Sequence, residues 1–282
     1  MIEPPPESVV REAAARALGE DRGPADVTSL AVVDPGAKAS GRMVAREACR
    51  LAGLIVAERV FMEVDPAIRF TRLKQDGDSL VAGEAVMTLA GPARSILTAE
   101  RSALNFIQQL SGVATATEVF VAAAAPARVL DTRKTVPGLR ALQKYAVRCG
   151  GGLNHRFGLY DGFMIKDNHV AFMTKPGGFV EAVRRARELD ASLKLVGEAD
   201  TLEQVEAWAA AGVDQVLLDN MDAATMAEAV RRVGGRCRTE ASGTMTPERA
   251  REAAAAGVDF VSVGAITHSA RAIDFSLELM PG

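Results

Sequence analysis

The spacing of hydrophobic residues changes several times along the first part of the chain. From residue 8 to residue 18, apolar side chains recur at helical spacing, with Ser8 as the expected N-cap. The runs at 38–45 and 67–73 instead alternate, and Asp-Gly and Ala-Gly pairs follow them, which is typical of antiparallel strands. A long apolar helix is predicted from about residue 95 to residue 125, where Pro126 ends it. Helices beside antiparallel strands predict an α+β arrangement for this part.

The second half of the chain is more regular, because short apolar strands alternate with amphipathic helices. The predicted strands span residues 194–197, 214–218, 237–241 and 260–263. Thr201 opens one of the intervening helices as a capping box, and Thr246 followed by Pro247 opens another. The tetrapeptide Ala-Gly-Val-Asp occurs at 211–214 and again at 256–259. This βα repeat predicts a parallel sheet.

The repeat places polar residues in phase with the strands. Glu198, Asp219, Ser242 and Gly264 stand at the carboxyl ends of successive strands, 21, 23 and 22 residues apart. In parallel α/β folds the ligand binds at this end of the strands. Strand ends also carry Asp, Ser and Gly simply as turn residues. Four such residues in phase nevertheless indicate one site assembled from four strands.

A second signal is a cluster of basic residues in the middle of the chain. Between residues 133 and 166 there are seven Lys and Arg side chains, one His and one acidic side chain. Those that follow a strand or the triple glycine at 150–152 are Arg133, Lys134, His155, Arg156 and Lys166. Such a pocket suits a small ligand with several negative charges, because clustered cations are costly without an anion. Arg140, Lys144 and Arg148 lie four residues apart and are typical of a solvated helix face.

Two loops and two acids add to this site. The loops Ser242-Gly243-Thr244 and Val263-Gly264-Ala265 can cradle a phosphate with backbone N–H groups, although no Walker A or GxGxxG sequence is present. The carboxylates of Glu198 and Asp219 can bind Mg²⁺ beside a substrate phosphate, or equally ribose hydroxyls. His169 and His268 fit a structural or a ligand-binding role, and Arg101 either pairs with an acid or reaches an anion in a partner's site.

Composition excludes several other classes of protein. The chain has 33 Lys and Arg residues against 36 Asp and Glu residues, a formal net charge of −3, so a dedicated nucleic-acid binder is not expected. No apolar run is long enough to span a membrane, and the first residues lack the features of a signal peptide. The three Cys residues are far apart, which fits a reducing cytoplasm.

Several segments together resemble the quinolinate phosphoribosyltransferases. These segments are EDRGPADVTS, AERSALNFIQQLSGVATAT, DTRKTVPGLR, KYAVRCGGGLNHRFGLYDGFMIKDNH, LLDN, EASGT and SVGAITHS. The resemblance implies an α/β fold with an N-terminal α/β sandwich over residues 1–112 and an incomplete, seven-stranded α/β barrel over residues 113–269. The C-terminal segment 270–282 is expected to return to the sandwich domain. A homodimer in the cytoplasm is also implied.

The implied activity is that of a pentosyltransferase of de novo NAD biosynthesis. Quinolinate and phosphoribosyl diphosphate would give nicotinate mononucleotide, diphosphate and carbon dioxide, with Mg²⁺ as cofactor. Neither a nucleic acid nor a membrane is an expected partner.

The resemblance also assigns roles to individual residues. Quinolinate would contact Arg133, His155, Arg156, Lys166 and, from the other subunit, Arg101. Lys134 would lie toward the diphosphate, and the ribose and Mg²⁺ would contact Glu198 and Asp219, directly or through water. The 5-phosphate would contact Ser242, Gly243, Thr244, Val263, Gly264 and Ala265. The expected catalytic residues are Lys134, Lys166, Glu198 and Asp219.

Two departures from the family pattern leave alternatives open. Val196-Gly197-Glu198 stands where the family usually has Glu-Val-Glu, and Gly197 is expected to loosen the strand. Thr244 stands where the family usually has Gly, which questions the conformation of the phosphate loop. The alternatives are a paralogous phosphoribosyltransferase of the type associated with molybdenum transport, acting on another acid, and a non-catalytic anion-binding dimer.

Overall fold

The computed structural model describes residues 2–173 and 178–282. Its helices and strands as far as residue 124 are α1 (Glu7–Arg22), α2 (Val27–Val32), β1 (Lys38–Ala45), β2 (Cys49–Arg50), α3 (Leu54–Val64), β3 (Arg69–Arg72), β4 (Ser79–Leu80), β5 (Ala85–Pro92) and α4 (Ala93–Ala124). Those that follow are β6 (Arg128–Leu130), α5 (Arg140–Cys149), β7 (Phe163–Ile165), α6 (Asp167–Ala171), α7 (Gly178–Leu189), β8 (Leu195–Ala199), α8 (Leu202–Ala211), β9 (Gln215–Asp219), α9 (Ala223–Val233), β10 (Arg238–Ser242), α10 (Pro247–Ala255), β11 (Phe260–Ser262), α11 (Ala265–His268) and β12 (Phe275–Pro281).

The chain divides into two compact units. The first contains Met1–Glu118, Val136–Gly151 and Ser269–Gly282, and the second contains Val119–Thr135 and Gly152–His268. Among the described residues, no helix combines the length and the apolar character needed to cross a bilayer.

The first unit is built on an antiparallel sheet with the strand order β12-β1-β5-β3, and β2 pairs with β4 in a separate ribbon. In β1 the side chain of Arg42 is exposed, whereas Met43 is buried opposite Met87 of β5. This alternation is the reason that the run at 38–45 forms a half-buried strand. Phe61 of α3 and Ile107 of α4 are buried in the core that packs on the sheet.

The start of α1 differs from the prediction. The helix begins at Glu7, and its N-cap is Pro6, which makes no side-chain capping bond; Ser8 is therefore not the cap. Pro6 has an extended backbone, with φ −52° and ψ 140°, so the helix begins as soon as the proline run ends. The predicted long helix is confirmed by α4.

The second unit is built on a parallel sheet with the strand order β6-β11-β10-β9-β8-β7. The four strands predicted in this half are confirmed by β8, β9, β10 and β11, each within two residues of the predicted bounds. Among the described residues the edge strands β6 and β7 are not paired with each other, so the barrel is incomplete. The predicted α/β class is confirmed.

The sheet has six strands among the described residues, where the resemblance implies seven. The next place beside β6 is taken by Leu153, which forms an isolated parallel bridge with Leu130. Just after this bridge, the backbone N–H of His155 and the side-chain amide of Asn154 donate to the carboxylate of Asp131, at 2.8 and 2.6 Å. Because these donors bind a side chain instead of a neighbouring strand, the segment does not extend into a ladder.

Strand register sets the layers of side chains inside the second unit. Glu198 of β8 and Glu240 of β10 both lie level with Leu217 of β9. One layer nearer the carboxyl ends, Asp219 lies level with Ser242. Side chains alternate between the two faces of a strand, so residues in layers two positions apart point to the same face. Glu198, Glu240 and Asp219 therefore all point into the interior of the second unit.

Candidate active site

A cavity of about 560 Å³ opens at the carboxyl ends of the parallel strands in the second unit. The sequence-predicted residues that line it are Arg133, Lys134, His155, Arg156, Lys166, Glu198, Asp219, Ser242, Gly243, Thr244, Val263, Gly264 and Ala265. Arg101 is not among them and lies, exposed, on α4 in the first unit. One pocket of the second unit therefore gathers five of the predicted basic residues, the two acids and both loops. Arg140, Lys144 and Arg148 instead lie on α5 in the first unit, where Lys144 is buried, so the expectation of a solvated helix face is wrong for Lys144.

Sequence reasoning missed other residues of the cavity wall or left them undecided. These are Thr132, Met164, Leu217, Asn220, Glu240, Met245, Ser262 and His268. Strand alternation could have found Glu240, because it stands two residues before Ser242 on the same face of β10. Asn220 directly follows Asp219, and its distinguishing feature is a backbone conformation that the sequence does not reveal.

The basic side of the cavity is arranged for an anion. Arg156 donates from Nη1 to the carbonyl oxygen of Gly162 at 3.0 Å. Burial, and then the positive charge of Arg133, lower the pKa of Arg156 below its usual value. Both effects disfavour the charged guanidinium, and a bound anion would offset them.

Lys166 and Glu198 form an ion pair in the cavity. Lys166 Nζ donates to Glu198 Oε2 at 2.6 Å, with the Lys side chain 42% exposed and the Glu side chain 16% exposed. A substrate carboxylate that binds Lys166 must therefore share this ammonium group with Glu198. The same contact holds the Glu198 carboxylate beside the residue that follows β7.

Gly197 was expected to loosen the strand that carries Glu198, but the structure shows that it does not. β8 is continuous from Leu195 to Ala199, and Gly197 is buried against the indole of Trp208. Trp208 is fully buried, and its Nε1–H donates to the carbonyl oxygen of Glu198 at 2.8 Å. The glycine thus makes room for a side chain that fixes the backbone of Glu198.

Glu240 and His155 meet at the floor of the cavity. His155 Nδ1 accepts the backbone N–H of Arg156 at 2.7 Å, and His155 Nε2 lies 3.4 Å from Glu240 Oε2. The Arg156 N–H therefore fixes the orientation of the imidazole ring beside the Glu240 carboxylate. Glu240 is fully buried and also accepts from Gln215 Nε2, whose oxygen in turn accepts from Lys194 Nζ at 2.6 Å.

The predicted phosphate loops follow the neighbouring strands β10 and β11. Gly243 has φ +124°, a region that favours glycine. Thr244 is not among the described residues with positive φ, so the loop accommodates this Thr without strain there. At the second loop, a Cβ on Gly264 would lie 3.1 Å from Lys134 Cδ, and Thr267 Oγ1 donates to the backbone oxygen of Lys134 at 2.8 Å. Glycine at 264 keeps this loop close to Lys134.

The acids of the cavity fit a magnesium ion that binds mainly to substrate. Glu198 and Asp219 line the same cavity from neighbouring strands. Mg²⁺ commonly takes one or two carboxylates together with substrate phosphates and water. Among residues 2–173 and 178–282, no group of three or more His, Cys, Asp and Glu side chains forms a protein-only metal cage. Two carboxylates in a polar pocket match a magnesium ion shared with substrate phosphates and water, and not a protein-only metal cage.

Two family models together match most of the chain. The N-terminal domain of quinolinate phosphoribosyl transferase matches residues 26–111, and the C-terminal domain of the same enzyme matches residues 113–278. Nicotinate-nucleotide pyrophosphorylase (carboxylating) of Mycobacterium leprae is 44% identical over 277 residues, which cover 95% of this chain and 96% of that protein. The probable nicotinate-nucleotide pyrophosphorylase (carboxylating) of Bacillus subtilis is 39% identical and is covered over 90% of its length by 92% of this chain.

A solved structure supports the same relationship. The nicotinate-nucleotide pyrophosphorylase from Francisella tularensis superposes with a TM-score of 0.94 and 39% sequence identity, over 99% of each chain. Sequence and fold agree over nearly the full length of these relatives. The chain therefore belongs to the quinolinate phosphoribosyl transferase family.

Proposed function

We propose that this protein transfers the phosphoribosyl group of phosphoribosyl diphosphate to quinolinate, with decarboxylation. The products are nicotinate mononucleotide, diphosphate and carbon dioxide, and the reaction is a step of NAD biosynthesis. The observation that carries the proposal is the single cavity that joins Arg133, Arg156 and Lys166 to Asp219 and to the glycine loops. The family membership of the whole chain supports it.

Quinolinate carries two carboxylates, and the basic side of the cavity matches them. Arg133 and Arg156 offer planar guanidinium groups suited to bidentate binding of a carboxylate. His155 contributes an imidazole whose Nδ1 accepts the N–H of Arg156 and whose Nε2 lies 3.4 Å from Glu240 Oε2. Lys166 adds a point charge that it shares with Glu198. This side of the cavity positions the dianion.

Phosphoribosyl diphosphate matches the other side. The 5-phosphate binds the backbone of the loops at 242–244 and 263–265, while the ribose hydroxyls face Glu198 and Asp219. The same two acids would hold Mg²⁺, which when bound supplies charge neutralisation for the departing diphosphate. Lys134, held beside Gly264, faces the diphosphate.

The reaction proposed for these groups is a dissociative substitution at the anomeric carbon. Glu198 and Asp219 provide negative potential beside the oxocarbenium-like ribose as the bond to diphosphate breaks. The pyridine nitrogen of quinolinate, held nearby by the basic side, then attacks and becomes cationic. When the adjacent carboxylate leaves as carbon dioxide, the electron pair of the broken bond stays at the ring carbon, stabilised by the cationic nitrogen. That carbon then takes up a proton from solvent water and gives nicotinate mononucleotide. A pocket that bound this carboxylate too tightly would slow its loss.

The proposal includes a cytoplasmic homodimer in which Arg101 completes the neighbouring site. Arg101 is exposed on α4, where a charge at the edge of an apolar helix face is available to a second chain. Leu97, one helical turn before it, is 38% exposed, and Leu30 of α2 is 54% exposed. Arg94 holds α2 to α4 by donating to the backbone oxygen of Leu30 at 3.1 Å. Exposed apolar side chains beside an exposed Arg suit a protein interface.

The test is a product assay with a choice of acid. The protein is incubated with phosphoribosyl diphosphate, Mg²⁺ and either quinolinate or nicotinate, and nicotinate mononucleotide and carbon dioxide are measured. Product from quinolinate alone is expected. Product from nicotinate would indicate a different phosphoribosyltransferase, and saturable quinolinate binding without turnover would indicate an anion-binding protein.

A further inference from the structure

Asn220 combines an unfavourable backbone conformation with contacts to two parts of the candidate site. Its φ is +54°, and it is the one non-glycine residue with positive φ among the described residues. Such conformations are uncommon outside glycine, and they persist where surrounding contacts hold them, often at functional sites. Asn220 stands directly after Asp219 at the end of β9 and lines the cavity.

The contacts of Asn220 join β9 to the loop that follows β10. Its backbone N–H donates to the carbonyl oxygen of Ser242 at 3.0 Å, and its Nδ2 donates to Asp219 Oδ2 at 3.0 Å. Its Oδ1 lies 3.4 Å from the backbone nitrogen of Thr244, which donates to it. One side chain therefore contacts both the acid and the loop.

The loop is fitted to this side chain. A Cβ built on Gly243 would lie 2.2 Å from Asn220 Oδ1 and 2.8 Å from its Cγ. No side chain at 243 could be accommodated without displacing Asn220. The absence of a side chain at 243 thus serves the approach of Asn220, in addition to the positive φ of Gly243 itself.

We infer that Asn220 is a positioning residue that sets the separation between Asp219 and the phosphate loop at 242–244. The inference rests on the proposed function, in which Asp219 faces the ribose and the loop binds the 5-phosphate of the same substrate. The ribose hydroxyls and the 5-phosphate belong to one small molecule and are joined by only a few bonds. The separation of Asp219 from the loop therefore determines how well phosphoribosyl diphosphate fits. Quinolinate binds the basic side of the cavity and does not depend on this separation.

A simple turn residue would behave differently. Asn is common in left-handed turns because it tolerates positive φ, and in that role Gly would replace it fully. In a positioning role the amide itself is needed, since it donates to Asp219 and accepts from Thr244. Asn220→Gly separates these roles because it keeps the backbone conformation and removes the amide.

The experiment measures steady-state kinetics and thermal unfolding for the full-length chain and three variants. Asn220→Gly is expected to raise the KM for phosphoribosyl diphosphate about tenfold, the effect of losing a hydrogen bond to a charged group, with the KM for quinolinate unchanged. Asn220→Asp is expected to raise the same KM at least as much, because it places a second carboxylate beside Asp219. The unfolding temperature of Asn220→Gly should stay near that of the parent.

The control is Asp222→Ala, two residues further along. Asp222 caps α9 by accepting the backbone N–H of Thr225 at 2.7 Å, so this variant should lower the unfolding temperature without changing either KM. An active parent enzyme together with an unchanged phosphoribosyl diphosphate KM in Asn220→Gly would overturn the inference. If the parent itself gives no product, the proposed function fails. Calorimetric titration of parent and Asn220→Gly with phosphoribosyl diphosphate then tests the inference separately, and equal affinities would overturn it.

Discussion

The indole of Trp208 fills the space that a side chain at position 197 would need. A Cβ on Gly197 would lie 2.4 Å from Trp208 Cδ2, and the same indole donates its N–H to the backbone oxygen of Glu198, the next residue along β8. Trp208 also packs against Phe179, with ring centroids 4.2 Å apart. A glycine in the middle of a strand is usually a weakness, but here it admits the ring that fixes the position of an active-site acid.

Gly197→Ala is expected to destabilise the protein by about 2 kcal/mol, because the added methyl group overpacks a fully buried site. The free energy of unfolding is measured by urea denaturation. In a Trp208→Leu background, which removes the ring, the same change should cost at least about 1 kcal/mol less. Equal costs in the two backgrounds would show that the indole is not what excludes a side chain at position 197.

Arg133→Ala is expected to reduce quinolinate-dependent release of diphosphate by about a hundredfold or more, since a buried substrate carboxylate loses its charged hydrogen-bond partner. Diphosphate is measured with saturating phosphoribosyl diphosphate, and circular dichroism checks the fold. Arg251→Ala removes the same charge from an exposed position on α10 and should leave the rate unchanged. Near-parent activity in Arg133→Ala would remove this residue from the site.

Oε2 of Glu240 lies beside both Gln215 Nε2 and His155 Nε2 in the buried polar group at the cavity floor. Glu240→Ala should destabilise the protein by about 3 kcal/mol, because Gln215 loses a buried acceptor and His155 loses the carboxylate beside it. Glu240→Gln keeps an oxygen at that place and should cost about 1 kcal/mol or less. Urea denaturation of both variants gives the comparison. Similar losses would mean that the negative charge, and not the acceptor, stabilises this group.

Stability should depend on pH through Glu47. Hydrogen bonds from Arg271 and, next, from the backbone N–H of Asp274 lower the pKa of Glu47 from 4.5 to about 2. Because the pKa is lower in the folded protein, the stabilisation is fully present above pH 4.5 and is lost as pH falls through about 2.

Glu47→Gln is the matching variant, and thermal unfolding measured across this pH range provides the comparison. It should be less stable than the parent at about pH 6, and the difference should shrink as pH falls and vanish below about pH 2. The Arg271 side chain is 69% exposed, so added salt should reduce the difference at pH 6. A difference that is constant with pH would exclude the ion pair as its cause.

Much of the second unit could be predicted from sequence because its signals are periodic. Strands spaced by one βα unit carry Glu198, Asp219, Ser242 and Gly264 at equivalent places, and one cavity contains them all. The basic residues near 133 and 156 could be predicted for the same reason, since they follow strands or the triple glycine. The position of a residue within a repeating βα unit can be read directly from its spacing in the sequence.

The features that escaped prediction depend on tertiary structure. Gly197 matters because of its contact with the ring of Trp208, eleven residues away. Asn220 matters because of its positive φ and its contacts with Asp219 and the next strand. Glu240 was missed because an acid inside a strand has no sequence signal apart from alternation. Ser8 is a good capping residue, but it does not cap the helix, because the prolines before it already determine where the helix begins.

The pairing of β12 with β1 has a consequence for synthesis. A ribosome releases all the strands of the parallel sheet before it releases residues 275–281, which occupy the outer edge of the first sheet. Until then β1 presents a row of unpaired backbone groups on that side, the kind of edge that joins strands from other chains. From the synthesis of β5 until residues 275–281 emerge, this edge of the nascent chain is therefore open to pairing with another strand.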